Sequence, residues 1–122
     1  MLDEAAVMRD FPLDALDSTQ RAFADRVLAW ARSVAEVYRR VRDTGVLEDV
    51  PVMRTFLCGS AGSGKSTTIK TTVQHIRLLF QAERIDAKVE LTAYTGVAAF
   101  NLGFGAKTAC SVFQILPNAT WK

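Results

Sequence analysis

A glycine-rich stretch in the middle of the chain limits the possible folds more than any other feature. Within the sequence FLCGSAGSGKSTTIK, which spans residues 56–70, four residues satisfy the pattern GxxxxGK[ST]: Gly59, Gly64, Lys65 and Ser66. The run 52–58 that leads into them is mostly apolar, which indicates a strand covered on both faces. The residues that follow repeat apolar side chains with helical spacing. The sequence therefore predicts a strand, a glycine loop and a helix in that order.

The loop has the residue types that bind the phosphates of a nucleoside triphosphate. Glycines allow backbone N–H groups to surround a phosphate, and the start of the following helix adds the positive end of its dipole. Lys65 is predicted to reach the β- and γ-phosphates, and the Ser66 hydroxyl to complete the coordination of Mg²⁺. These two are the predicted catalytic residues, with Ser66 as the metal ligand. The predicted phosphate-binding residues are Gly59, Ser60, Ala61, Gly62, Ser63, Gly64, Lys65, Ser66 and Thr67.

Apolar periodicity predicts the helices on either side of the loop. Six residues recur at steps of four and three, which is the stripe of an amphipathic helix over 18–43: Phe23, Val27, Trp30, Val34, Val37 and Val41. A second stripe predicts a helix over 64–81. Further along, the sequence predicts a strand at 88–93 and helices at 95–102 and 108–116. Residues 1–16 lack strong periodicity and contain Pro12, so we predict an irregular lead segment there.

Charge and hydropathy narrow the class of protein. Residues 1–50 hold 7 Lys/Arg and 10 Asp/Glu, a net charge of −3, whereas 51–122 hold 8 and 3, a net charge of +5. The second part is therefore the one suited to a polyanion. The start of the chain is acidic where a targeting peptide would be basic, and no apolar run reaches the roughly 18 residues that a membrane span needs. We expect a soluble intracellular protein with two reduced cysteines.

Two further sequence blocks resemble those of a helicase family. The stretch LTAYTGVAAFNLGFGAKTACSVFQI, residues 91–115, resembles the motif Ia region, although Tyr94 and Cys110 replace the usual Pro and His. The stretch LDSTQRAF, residues 16–23, resembles the Q motif. Together with the glycine loop, these blocks resemble the Pif-type (petite integration frequency) DNA helicases of superfamily 1B, over about residues 14–116.

The resemblance implies a fold and an activity. The implied fold is an α/β P-loop NTPase domain, the RecA-like helicase domain 1A, here a partial parallel sheet with flanking helices. The implied activity is ATP-driven 5′ to 3′ DNA unwinding in repair, recombination and genome maintenance, with ATP and Mg²⁺ as cofactors. We expect single-stranded DNA as the partner, no membrane association and a monomer. The expected compartment is the nucleus or mitochondrion of a eukaryote, or otherwise the cytoplasm.

The resemblance also implies a domain layout. Residues 1–16 would be the lead segment, and 17–122 an incomplete helicase domain. Within that domain, 17–43 would form the Q-motif helix, 51–67 the strand and phosphate loop, and 88–116 motifs Ia and Ib.

Individual roles follow from the matched positions. Gln20 would read the adenine edge, and four residues would lie along the single-stranded DNA: Thr95, Gly96, Thr108 and Ser111. Structural alternatives stay open for two of these positions. Gln20 and Asp17 have the spacing of a helix-capping box, and the position of Thr95 equally fits the cap of a helix that begins at Gly96. We expect His75, the one histidine, to be solvated, and the cluster Arg39, Arg40 and Arg42 to favour a helix C-terminus rather than DNA.

Catalytic carboxylates are missing from the sequence after the loop. The acids that follow Lys65 are Glu83, Asp86 and Glu90, and none ends an apolar strand. We therefore expect the amino-terminal piece of a larger enzyme that binds ATP and does not hydrolyse it alone. The alternatives are another nucleotide-binding module, such as a small kinase or an AAA-type domain, or a non-catalytic remnant.

Overall fold

The computed structural model describes residues 1–55, 57, 64–87 and 89–93, and the backbone of 107–108. The chain divides into two compact units, Met1–Ala87 and Lys88–Lys122. The elements in chain order are helix α1 (Glu4–Asp10), a 3-10 helix (Leu13–Ala15), helix α2 (Ser18–Thr44), helix α3 (Lys65–Ala82), strand β1 (Thr92–Ala93) and strand β2 (Lys107–Thr108). None of the helices in the described residues is both long enough and apolar enough to cross a membrane.

Helix α2 confirms the predicted helix over 18–43. It begins with a complete capping box, in which the Gln20 amide donates to the Asp17 carboxylate at 2.8 Å and the Gln20 side chain accepts from the Asp17 amide at 3.0 Å. It ends at Gly45, which adopts a left-handed conformation with φ of +72° and donates to the Val41 carbonyl. Both ends therefore satisfy backbone groups that would otherwise lack partners.

Helix α3 confirms the predicted helix over 64–81, with a shift of one residue. Its buried face is unusually polar, because Thr68 and Thr72 are both almost fully inaccessible. Their hydroxyls donate to the carbonyls four residues earlier, Thr68 to Gly64 at 2.9 Å and Thr72 to Thr68 at 2.7 Å. These bonds remove the cost of burying the hydroxyls.

The core of the first unit lies between α2 and α3. Helix α2 contributes small residues, and both Ala24 and Ala31 are completely buried, which lets the two helices approach closely. Helix α3 contributes larger side chains, including Ile76 and Phe80. Burial of each of these larger side chains is worth about 1.5–3 kcal/mol.

The lead segment, residues 1–16, is not irregular, so that prediction was wrong. Asp3 caps α1 by accepting from the Ala5 amide at 3.1 Å, and Val7 is buried at 3% exposure. Phe11 ends this helix, and Pro12 is the N-cap residue of the 3-10 helix. A seven-residue helix with one buried residue produces no periodic stripe, and packing rather than propensity stabilises so short an element.

The predicted α/β fold with a partial parallel sheet was also wrong. The described part of the chain is mostly helical, with 65% of its residues in helices. Of the predicted strand 52–58, the described residues 52–55 and 57 are irregular, and Val52 is 77% exposed. The Pro51 carbonyl next to it accepts a hydrogen bond from the Trp30 indole at 2.8 Å rather than from a neighbouring strand. An apolar run without periodicity does not distinguish a strand from other apolar segments.

The second unit contains the described β structure. Strand β1 pairs in parallel with β2, and Thr92 aligns with Lys107 and Ala93 with Thr108. Among the described residues 89–93 of the predicted strand 88–93, Thr92–Ala93 is a strand and 89–91 are irregular. Thr108, the predicted first residue of a helix, lies in β2 instead. The predicted helix 95–102 and the rest of 108–116 fall outside the described residues.

Candidate nucleotide site

Gln20 and Gly64, which come from two separate sequence blocks, lie in contact. A Cβ atom added to Gly64 would lie 2.5 Å from Nε2 and 3.7 Å from Cδ of Gln20. Gly64 also has φ of +82°, a conformation that other residues rarely adopt. Two independent constraints therefore require glycine here, and the structure places Gln20 beside Gly64.

Gln20 forms the predicted capping box. Its Oε1 atom accepts from the Asp17 amide, which fixes the side chain while the Nε2 end faces Gly64. The capping role is thus confirmed, whereas the adenine contact stays a prediction.

The beginning of α3 has the features of an anion-binding helix N-terminus. Gly64 is the N-cap residue and has no side chain with which to cap the helix, while the side chains of Ser66 and Thr67 are exposed. Lys65 is partly buried. The first N–H groups and the positive end of the helix dipole therefore lie where the loop enters the helix, which favours a phosphate.

A cavity of about 350 Å³ adjoins this helix start. One wall consists of Gln20 and Gly64, and α3 supplies Thr67, Lys70 and Thr71. The lead segment supplies the remaining lining, through residues 10–12 and 15–16. Its volume falls within the range of about 300–1,000 Å³ that is usual for small-molecule sites.

Sequence reasoning found only part of this cavity. Gln20, Gly64 and Thr67 were predicted, but Lys70, Thr71 and the lead segment were missed. The helical spacing held one usable signal, since residues three and four positions after Thr67 share its face of α3. The lead segment carried no comparable signal, because its position depends on tertiary contacts.

Charges of both signs line the cavity. Asp10 contributes a carboxylate, and the Arg9 guanidinium donates to it at 3.0 Å. This hydrogen bond holds the pKa of the Asp10 carboxyl below its ordinary value and raises the pKa of Arg9. Asp10 is therefore ionised at neutral pH and gives the cavity a negative charge. Lys70, which also lines the cavity, supplies a charge of the opposite sign.

A larger cavity of about 890 Å³ lies elsewhere in the first unit. Residues of α1, α2 and α3 line it, including Leu28, His75 and Leu79. Among the described residues, those predicted to bind nucleotide, which are Gln20 and 64–67, do not line it. The smaller cavity is therefore the candidate site, because it alone of the two adjoins the glycine motif.

Several predicted site residues lie outside the described part of the chain. These are Gly59, Ser60, Ala61, Gly62, Ser63, Thr95, Gly96 and Ser111. Thr108 is described only through its backbone, in β2. The phosphate loop before Gly64 and the predicted DNA contacts therefore stay predictions.

His75 is buried rather than solvated, so that prediction was wrong. It is 8% exposed, and its Nε2 atom lies 2.7 Å from the Phe11 carbonyl oxygen. The lead segment covers this face of α3, which the helical pattern alone could not reveal.

The three clustered arginines near the end of α2 have structural partners. Arg39 pairs with Glu83 at 2.8 Å, Arg40 pairs with Glu48 at 3.0 Å, and Arg42 donates to the Glu83 carbonyl at 3.3 Å. The geometry therefore favours a structural role for these three arginines over contact with DNA.

The acids that follow the loop in this unit lie far from Lys65. Glu83 caps the other end of α3, about 27 Å away along the helix axis. Asp86 follows a turn in which the Ile85 amide donates to the Phe80 carbonyl, which keeps it near the same end. Among the described residues, no group of three or more His, Cys, Asp or Glu side chains is arranged to hold a metal ion.

Comparisons with known proteins leave the family open. The chain matches no protein-family model, no curated protein and no solved structure. The resemblance to Pif-type helicases therefore rests on the three sequence blocks alone.

Proposed function

We propose that the chain binds ATP with Mg²⁺ at residues 59–67 and serves an ATP-driven DNA helicase of the Pif type. The main support for the proposed nucleotide site is the contact between Gln20 and Gly64, which lies beside a cavity of suitable volume. A capping glutamine has no need to lie against a distant glycine motif. A nucleotide that spans a base pocket and a phosphate loop does require these two elements side by side.

The proposed site has one end that binds the phosphates and another end that binds the base. The N–H groups at the start of α3 and the Lys65 ammonium bind the phosphates, because both are positive. The base occupies the cavity next to Gln20, whose side-chain amide offers polar groups to its edge. Thr67 adds a residue with a hydroxyl to the cavity lining.

The residues present fit Mg²⁺ bound through the nucleotide rather than by a protein cage. Mg²⁺ takes oxygen ligands and keeps several waters, and it binds through phosphates with one or two protein groups. The exposed Ser66 hydroxyl suits that requirement. When bound, the ion would neutralise phosphate charge.

We expect binding without appreciable hydrolysis from the chain on its own. Hydrolysis needs a group that positions the attacking water and a cation that stabilises the transition state. Glu83 is paired with Arg39 at the far end of α3 and cannot reach the phosphates. A robust ATPase rate stimulated by DNA would contradict this part of the proposal.

Equilibrium binding of ATP with Mg²⁺, measured by titration calorimetry, tests the nucleotide site. Lys65→Ala should weaken ATP binding at least about tenfold, since a hydrogen bond to a charged group is lost. Arg26→Ala is the matched control, because it removes the same charge from an exposed position on α2. Equal affinities in the two variants would rule out the proposed site.

Fluorescence anisotropy with a labelled single-stranded oligonucleotide tests the helicase role. The contacts proposed for Thr95, Gly96, Thr108 and Ser111 grip the sugar-phosphate backbone. Binding should therefore tolerate changes of base sequence and weaken steeply as salt is raised. An absence of DNA binding at low salt, with ATP binding intact, would favour another nucleotide-binding module instead.

A further inference from the structure

We propose that His75 is a positioning residue for the base end of the nucleotide site. It acts through the Phe11 carbonyl, and so holds the lead segment in place as a wall of the cavity. This inference rests on the proposed function and extends it, because neither His75 nor the lead segment belongs to the motifs that suggested nucleotide binding.

His75 makes a single long-range polar contact with the lead segment. Its Nε2 atom lies 2.7 Å from the Phe11 carbonyl oxygen, which can only accept, so Nε2 carries the proton. The ring is 8% exposed and sits in the middle of α3. A buried imidazole that donates a hydrogen bond to the Phe11 carbonyl fixes the Phe11 backbone relative to α3.

Phe11 links the contact with His75 to the cavity. It ends α1, and its amide donates to the Val7 carbonyl at 2.8 Å. Phe11 and Pro12 both line the cavity. Their rings offer apolar surface of the kind that packs against a nucleoside base.

Other contacts hold the two ends of the lead segment. At one end, the Gln81 side chain accepts from the Leu2 amide at 2.7 Å and donates to the Leu2 carbonyl at 2.9 Å. At the other end, Asp14 pairs with Arg21 at 3.0 Å. The segment therefore stays on the helices without His75, and His75 governs the middle portion that faces the cavity.

The phosphate end of the site does not depend on this contact. Gly64, Lys65 and Ser66 belong to the start of α3, more than two turns before His75 in the same helix. Displacement of Phe11 should therefore weaken the binding of the base and leave phosphate binding unchanged.

Paired titrations with ATP and with inorganic tripolyphosphate separate the two ends. In His75→Leu, which keeps an apolar side chain and removes the donor, ATP binding should weaken about fivefold, the value of one neutral hydrogen bond. Tripolyphosphate binding should not change. His75→Gln supplies an amide donor and should recover most of the ATP affinity.

The outcomes distinguish this inference from the proposed function. Unchanged ATP affinity in His75→Leu, or an equal loss for both ligands, would overturn the positioning role. An unmodified chain that binds tripolyphosphate as tightly as ATP would also overturn it, while the phosphate site would stand. An unmodified chain that binds neither ligand would refute the proposed function itself.

Hydrogen exchange of the unmodified chain gives a test that does not depend on a variant folding. ATP should slow exchange at the amides of residues 11 and 13–16, since the base packs against that wall; Pro12 has no amide hydrogen. Tripolyphosphate should slow exchange near Lys65 and not in the lead segment. Equal protection of residues 11–16 by both ligands, or by neither, would contradict the inference.

Discussion

Replacement of Gly64 by alanine tests the contact on which the nucleotide site depends. The new methyl group would meet Gln20 Nε2 at 2.5 Å, and the backbone would keep φ of +82°. Gly45 provides a matched control, because it has a similar φ of +72° and nothing within 4 Å of an added Cβ. Any difference between the two alanine variants therefore measures the crowding against Gln20.

The two variants should differ by about 1 kcal/mol in the free energy of unfolding. A left-handed alanine costs about 1–2 kcal/mol, and the reduced freedom of the unfolded chain returns a few tenths, so Gly45→Ala should lose about 1 kcal/mol. In Gly64→Ala, Gln20 must also move away. Its hydrogen bond to the Asp17 amide would break, which adds about 1 kcal/mol.

Urea unfolding followed by circular dichroism measures this difference. Gly64→Ala should lose about 2 kcal/mol, and its extra loss should disappear in a Gln20→Ala background, where no side chain remains to clash. The reasoning would be refuted if Gly64→Ala and Gly45→Ala lost the same stability. It would equally be refuted if the extra loss persisted without the Gln20 side chain.

Two further predictions concern polar interactions that stabilise α2 and its contacts. Asp17→Ala should lower the free energy of unfolding by about 1 kcal/mol, because Asp17 caps α2. Asp43→Ala, near the other end of the helix, is the control and should not destabilise the chain. Thermal unfolding of both variants gives the comparison, and equal losses of stability would contradict the capping role. Trp30→Phe should lower the free energy of unfolding by about 1 kcal/mol, because phenylalanine cannot donate a hydrogen bond to the Pro51 carbonyl. Urea unfolding measures this loss, and an unchanged stability would show that the hydrogen bond contributes nothing.

The sequence predicted the elements whose signals are local. Helices α2 and α3 follow apolar stripes several turns long, and the capping box follows a spacing of three residues. These features depend on interactions within one element, so a single segment of sequence contains all the information. The bounds of both helices agree with the prediction within about one residue.

The features that the sequence did not predict depend on tertiary contacts. Helix α1 packs against α3 and buries Val7, and His75 is buried because the lead segment covers it. The apolar run that begins at Val52 was mistaken for a strand, although a strand needs a partner that no local pattern supplies. The contact between Gln20 and Gly64 likewise required the packing of two helices.

The central claim is that ATP binds across the contact between Gln20 and Gly64, and a nitrogen-proton NMR titration tests it most directly. With Mg²⁺ present, ATP should shift the side-chain amide signals of Gln20 and the backbone signals of Gly64 and Thr67 in a saturable way. Signals at Leu28 and Leu79, which line the larger cavity, should stay unchanged. Shifts confined to that larger cavity, or no saturable shift at all, would contradict the account.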